Sequence, residues 1–191
     1  MKIFSLLALC LASAAVFADN PEIEAHQPSQ SAADALREYA KTDGAFLAAG
    51  LVKTSLPKKD DLASLLQYPT DELVVVTITG AQVKQAFERS LSLYPEPNTS
   101  FLQVSGFDIV FAKAAGTGQH VIQVKCNGTP LDESKSYQIA MPSSLGRGGL
   151  GYFKIWDKAK ITKSYSGVTV ESVLKGKPFA ATSPRWVPSG S

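Results

Sequence analysis

The stretch that most constrains this chain is residues 72–90, ELVVVTITGAQVKQAFERS. Its opening run is rich in β-branched residues and apolar on both faces, so a strand here has to be covered from both sides. Thr79-Gly80-Ala81-Gln82 then has the spacing of a capping box, in which the threonine and glutamine side chains satisfy backbone donors at a helix start. Beyond it, Val83, Ala86, Phe87, Leu91 and Tyr94 recur at helical spacing. Lys84 and Glu88 stand one turn apart as an expected ion pair, and Pro95 is the expected stop. A doubly covered strand that feeds straight into a helix requires a layered fold with a substantial core. A chain of 191 residues, 45% apolar and 19% charged, is long and apolar enough for one such domain.

The rest of the pattern alternates helix and strand signals. Ser31 has the features of an N-cap, with Asp34 three residues on and Ala35, Leu36, Tyr39 and Ala40 along one stripe. GAFLAAG (44–50) is a short apolar run between glycines, consistent with a buried strand. Asp60 or Asp61 is placed to cap a short helix carrying Leu62, Leu65 and Leu66. FLQVSGFDIVFA (101–112), QHVIQVKC (119–126) and SYQIAM (136–141) read as strands, and Asn127-Gly128 reads as a tight hairpin turn. A last helix is expected from Thr169 to Lys175, ended by Gly176. Adjacent antiparallel pairs mixed with helices predict an α+β fold, a mixed and largely antiparallel sheet covered by helices.

The ends read differently. MKIFSLLALCLASAAVFA combines Lys2, an apolar run and a small-residue cleavage site, which predicts an export signal cut after Ala18 and a periplasmic or secreted protein. The apolar run is too short to span a bilayer. Residues 19–30 read as a loose lead-in, 31–180 as a single domain and 181–191 as an irregular tail. Removing the signal leaves Cys126 as the one cysteine. A lone thiol before an Asn-Gly turn reads as a strand thiol rather than a nucleophile.

Several chemistries lack their residues. The 19 basic against 17 acidic residues, with no basic run, give no footprint for nucleic acid. His26 and His120 are the only histidines, too few for a hydrolytic two-metal centre. No nucleophile elbow or phosphate-binding Lys-Ser/Thr loop is present. Asn98-Thr99-Ser100 and Asn127-Gly128-Thr129 match the glycosylation sequon, the second being explained by its turn. What remains is SSLGRGGLGYFKIW (143–156). Its glycines could bring bare backbone N–H groups up to a phosphate, with Arg147 adding a fork of donors; they could equally serve a turn.

In order along the chain, LASLLQYPTDELVVVTITGAQVKQAFERS, FLQVSGFDIVF, the Asn-Gly-x-Pro-Leu-Asp turn and YQIAMPSSLGRGGLGYF resemble the C-terminal domain of the 5′-nucleotidase/UDP-sugar hydrolase family, over roughly residues 33–176. The resemblance implies a domain that holds a nucleotide base between two aromatic rings, while a separate metallophosphoesterase domain carries the metals and the chemistry. Matched residue by residue, the family's Gly-Ile-Arg segment falls on Leu51-Val52-Lys53, and the asparagine ahead of it on Ala48. The first stacking phenylalanine falls at Tyr68, with one extra residue nearby. The family's Gly-Gly-Asp-Gly-Tyr/Phe motif reads here as Gly148-Gly149-Leu150-Gly151-Tyr152, and the second stacking phenylalanine is Ser144. One side of the ring sandwich and one carboxylate are therefore replaced.

The resemblance, with Arg147 added from the chemistry of the loop itself, implies Lys53, Tyr68, Ser144, Arg147, Gly148, Gly149, Gly151 and Tyr152 as ligand-binding candidates, and together with the residue census it implies no catalytic residue, metal ligand or cofactor. The first expectation is an exported, standalone and non-catalytic module for a nucleotide-like or anionic small molecule, working with a separate metallophosphoesterase. A structural or protein-interaction domain with a degenerate site is the alternative. Hydrolysis by this chain alone is disfavoured by the shortage of metal ligands.

Overall fold

A computed structural model describes residues 20–54, 57–58 and 60–190, so the expected export signal lies outside the described residues. The elements are α1 (Gln27–Ala40), β1 (Gly44–Ala48), β2 (Glu72–Thr79), α2 (Gly80–Ser90), β3 (Leu102–Ser105), β4 (Phe107–Phe111), β5 (Val121–Cys126), β6 (Thr129–Pro130), β7 (Ser136–Pro142), α3 (Ser143–Gly146), β8 (Ile161–Thr169), α4 (Val170–Leu174) and β9 (Trp186–Pro188). They form two sheets, ordered β3-β1-β7-β2-β8 and β6-β5-β4-β9. Among the described residues only the β1–β7 and β4–β9 pairings are parallel. The class is α+β, as expected.

The constraining stretch behaves as its residues require. β2 lies between β7 and β8, with Leu73 to Val76 buried. Thr79 caps α2 through the complete capping box with Gln82. That helix turns Val83, Ala86 and Phe87 inward, and Leu91 is buried just beyond its end. Phe87 is the hinge of an aromatic cluster joining the two sheets, 5.7 Å from Phe46 on β1, 5.5 Å from Phe107 on β4 and 5.4 Å from Trp186 on β9, centroid to centroid. These edge-on contacts are the favoured geometry for ring pairs.

Several expectations need correction. α1 starts at Gln27, not after Ser31; proline is tolerated in a first turn because its missing N–H has no helical partner there. Ser31 is buried inside the helix, and its Oγ accepts from Ala180 N–H at 3.2 Å. The segment before α1 is not loose. The buried Gln103 amide donates to the Pro21 and Glu24 carbonyls at 2.9 and 2.8 Å, and its oxygen accepts from His26 N–H at 2.9 Å. Lys84 pairs with Glu133 instead of Glu88, whose carboxylate accepts from the His120 and Val121 N–H groups at 3.0 and 2.8 Å.

The tail is not irregular throughout. β9 adds to β4, Trp186 is buried, and the Arg185 guanidinium makes a two-pronged pair with Asp34 at 2.8 and 2.7 Å. Asp61 precedes a 3-10 turn, Leu62–Leu65, without capping it; its carboxylate accepts from Gly176 N–H at 3.3 Å. β8 was not anticipated at all. Among the described residues no helix is long and apolar enough to cross a membrane.

Candidate functional site

The register of β2 against β7 creates the candidate site. Leu73 stands opposite Pro142, and continuing that antiparallel register two residues further brings Asp71 opposite Ser144. The Asp71 carboxylate then meets the start of α3. It accepts from the Ser143 hydroxyl at 2.5 Å, from the Ser144 N–H at 3.2 Å on each oxygen, and from the Ser144 hydroxyl. The Tyr68–Asp71 turn folds back on itself, Asp71 N–H donating to Tyr68 O at 3.3 Å. Gln67 N–H donates to Leu51 O at 2.9 Å, which ties this turn to the end of β1. Leu51, Tyr68, Thr70, Asp71 and Ser144 together line an open cleft of about 390 Å³. The Tyr68 ring is 57% exposed, and among the described residues no other ring packs on it.

The glycine loop serves another purpose. Gly148, Leu150 and Gly151 all have left-handed backbones, with φ of 87°, 54° and 79°. A Cβ on Gly148 would lie 2.7 Å from Phe153 Cα and 2.8 Å from the Trp156 carbonyl oxygen; one on Gly149 would lie 2.6 Å from the Ser144 carbonyl oxygen. Glycine is thus needed for conformation and for close backbone approach. The Leu150 carbonyl is held from three directions, by Arg89 Nε at 3.2 Å, Arg89 Nη2 at 2.5 Å and Ser100 Oγ at 2.8 Å. The Leu150 side chain packs against the core, so the position of the family's aspartate has become part of the packing.

This turn sends Tyr152 inward and the next ring outward: Tyr152 is fully buried, whereas Phe153 is 64% exposed. Tyr152 stacks on Trp156 at 4.5 Å with an interplanar angle of 14°, under the Arg89 guanidinium. Its hydroxyl donates to Ser100 O at 2.6 Å, and burial pushes the phenol well above its ordinary range. Tyr152 therefore sits in the core, away from any surface ligand.

The eight candidates divide accordingly. Tyr68 and Ser144 share the cleft. Lys53 is exposed with its ammonium donating to Ser64 O at 3.2 Å, and Arg147 is exposed with no side-chain hydrogen bond or ion pair among the described residues; neither lines the cleft. Gly148, Gly149, Gly151 and Tyr152 hold the turn.

Asp71, Thr70 and Leu51 complete the cleft without having been anticipated as site residues. The sequence does place Ser143-Ser144 at a strand end, but only the strand pairing shows which acid meets them. Cys126 is buried, and burial, with the Asp43 carboxylate second, raises its thiol above the ordinary value. His26 is buried rather than loose, and His120 is buried with Nδ1 2.9 Å from Ala112 O. Asn98 is buried with its amide donating to Arg89 O and Ser90 O, so that sequon serves the loop behind the core. No three His, Cys, Asp or Glu side chains come together to hold a metal among the described residues.

With the fold and cleft in hand, comparison with known proteins is direct. The family model described as "5'-nucleotidase, C-terminal domain" matches residues 14–157. A 5'-nucleotidase-related protein of Glossina morsitans morsitans is 34% identical over 128 residues, 61% of this chain and 23% of that protein. The 5'-nucleotidase of Rattus norvegicus is 33% identical over 92 residues, 44% of this chain and 16% of that one. The chain thus spans a quarter or less of these relatives' length. The solved 5'-nucleotidase precursor of Thermus thermophilus superimposes with a TM-score of 0.75 at 21% identity, covering 92% of this chain and 38% of that one. A putative 5'-nucleotidase from Staphylococcus aureus, in complex with alpha-ketoglutarate, gives 0.70 at 18% identity over 87% and 37%. These structural likenesses speak to the fold, and the sequence match speaks to descent: the chain belongs to the 5'-nucleotidase C-terminal domain family.

Proposed function

We propose that this chain is an exported, non-catalytic binding module for a nucleotide-like small molecule, working alongside a separate metallophosphoesterase. One observation carries the reading: an exposed tyrosine ring, unpartnered by any other ring among the described residues, stands in a cleft with Leu51, Thr70, Asp71 and Ser144. An open ring face beside hydroxyl and carboxylate groups suits a flat base joined to a hydroxylated sugar. Stacking one base on an aromatic side chain is worth about 1–3 kcal/mol. One ring supplies this once, where the family frame has two, so the polar groups of the cleft have to contribute the rest of the affinity, since a millimolar Kd already corresponds to about 4 kcal/mol. Lys53 and Arg147 are exposed, each within three residues of a cleft residue, but neither lines the cleft, so they act on a ligand only from outside it.

A second reading is a structural or interaction domain that has kept the fold and lost the site. It is favoured by the glycine loop, where close contacts at Gly148, Gly149 and Gly151 explain the glycines by packing rather than by a ligand. Thermal-shift titration of the full chain with nucleosides, nucleotides and UDP-sugars separates the two. Saturable stabilisation that disappears in Tyr68→Ala supports the binding module; flat melting curves across the panel support the second reading.

A further inference from the structure

We infer that Asp71 acts as a built-in anion that makes the cleft selective for neutral, hydroxyl- or amine-bearing ligands, nucleosides in preference to their phosphorylated forms. The inference rests on the binding reading above and narrows its ligand class. The Tyr68 and Thr70 hydroxyls aside, the donors a phosphate in this cleft would need are three: the Ser143 hydroxyl and the N–H and hydroxyl of Ser144. All three already donate to the Asp71 carboxylate. An incoming anion has to displace that carboxylate or lie against it.

Among the described residues no cation stands inside the cleft to offset that charge. None of the residues lining the cleft is basic. The nearby Lys53 ammonium is directed at Ser64 O, and Arg147 lies outside the lining. A ligand hydroxyl or exocyclic amine meets the opposite situation. The carboxylate takes two contacts on each oxygen, but the Ser144 N–H is shared between the two at 3.2 Å, so a stronger ligand donor can take over one of those positions. The hydroxyls of Ser144 and Thr70 retain acceptor capacity as well.

For a dianionic phosphate held ~7 Å from the carboxylate in a water-like medium, Coulomb repulsion weakens binding by about fivefold to tenfold. The penalty falls as salt screens it, since the screening length drops from about 30 Å at 0.01 M to near 3 Å at 1 M.

The test is isothermal titration of the full chain with adenosine, guanosine, cytidine and uridine, each against its 5′-monophosphate, and with inorganic phosphate. The expected result at low salt is that nucleosides bind fivefold to tenfold more tightly than their monophosphates, that phosphate neither binds nor competes, and that Asp71→Asn brings the ratio toward one. Asparagine keeps the side-chain oxygen that Ser143 donates to. Should the variant fail to fold, the wild-type ratio measured from low to high salt serves instead, and it should shrink. A monophosphate that binds as tightly as its nucleoside overturns the inference, as does a ratio insensitive to both salt and Asp71→Asn. Silence toward every nucleoside and nucleotide overturns the binding reading itself and this inference with it.

Discussion

Replacing Tyr152 by phenylalanine removes one oxygen atom and separates a structural role from a ligand-reading one. The ring stays in its slot between Trp156 and the Arg89 guanidinium. Lost are the hydrogen bond to Ser100 O at 2.6 Å and the longer hydroxyl–hydroxyl contact, 3.3 Å, with Ser90 Oγ. A net hydrogen bond contributes about 0.5–1.5 kcal/mol, and a buried acceptor left without a partner costs about 1–3 kcal/mol. The Ser100 carbonyl belongs to that second case, because Tyr152 is the donor that reaches it. Together the expected destabilisation is about 2 kcal/mol, which for a chain of this size lowers Tm by about 4–8 °C. Urea unfolding followed by tryptophan fluorescence measures it: the midpoint falls while the slope with denaturant is unchanged. Ligand affinity, read on the same preparation, stays within a factor of about two, since surface affinity follows the groups that touch ligand. A variant with undiminished stability and weakened nucleoside binding would refute the assignment of Tyr152 to the core.

Arg185→Ala should destabilise by about 2–3 kcal/mol, because the guanidinium joins α1 to β9 through Asp34 and also donates to Val104 O at 2.6 Å; an unchanged melting temperature would remove β9 from the folded unit. Gly148→Ala combines a left-handed φ with backbone contacts under 3 Å and should cost about 2–4 kcal/mol by equilibrium unfolding; a cost below about 0.5 kcal/mol, the range of an ordinary surface change, would contradict the packing account. Stability should also fall at alkaline pH. The folded state holds the Cys126 and Tyr152 protons to higher pH than the unfolded chain, whose ordinary values are 9.0 and 10.0. Stability from these groups is therefore complete below about pH 8 and is lost as pH rises past 9. Cys126→Ser should flatten the first part of that decline, and a denaturation midpoint constant from about pH 8 to pH 10 would contradict it.

Much of the fold was legible because its signals are local. The run of β-branched residues in β2 and the Thr79–Gln82 box specify a strand and a helix start within a dozen residues, and both appear as read. Asn127 and Gly128 likewise declare their turn through positive φ, at 50° and 80°. β8 was invisible because it is a half-exposed edge strand, ITKSYSGVT, with neither clean alternation nor an apolar run. β9 has three residues and owes its place to Trp186 and Arg185, whose partners lie more than 80 residues away in sequence. The Lys84–Glu88 pairing failed because backbone donors on the β5 side claim Glu88.

The site was legible only in part. Tyr68 and Ser144 were found, yet Asp71 was not, since nothing around it in sequence announces that strand pairing will set it against Ser143 and Ser144. Which of the adjacent rings Tyr152 and Phe153 turns inward is decided by the left-handed turn at Gly148–Gly151, a backbone property that glycines permit without dictating a ligand.

The central claim is that a nucleoside-class ligand occupies the Tyr68 cleft. Backbone amide NMR of the full chain during titration with adenosine and uridine tests it most directly. The prediction is saturable shift changes concentrated at Leu51, Tyr68, Thr70, Asp71 and Ser144, abolished in Tyr68→Ala, with Tyr152 unmoved. Spectra that do not change, or saturable changes centred on residues outside that cleft, would contradict it.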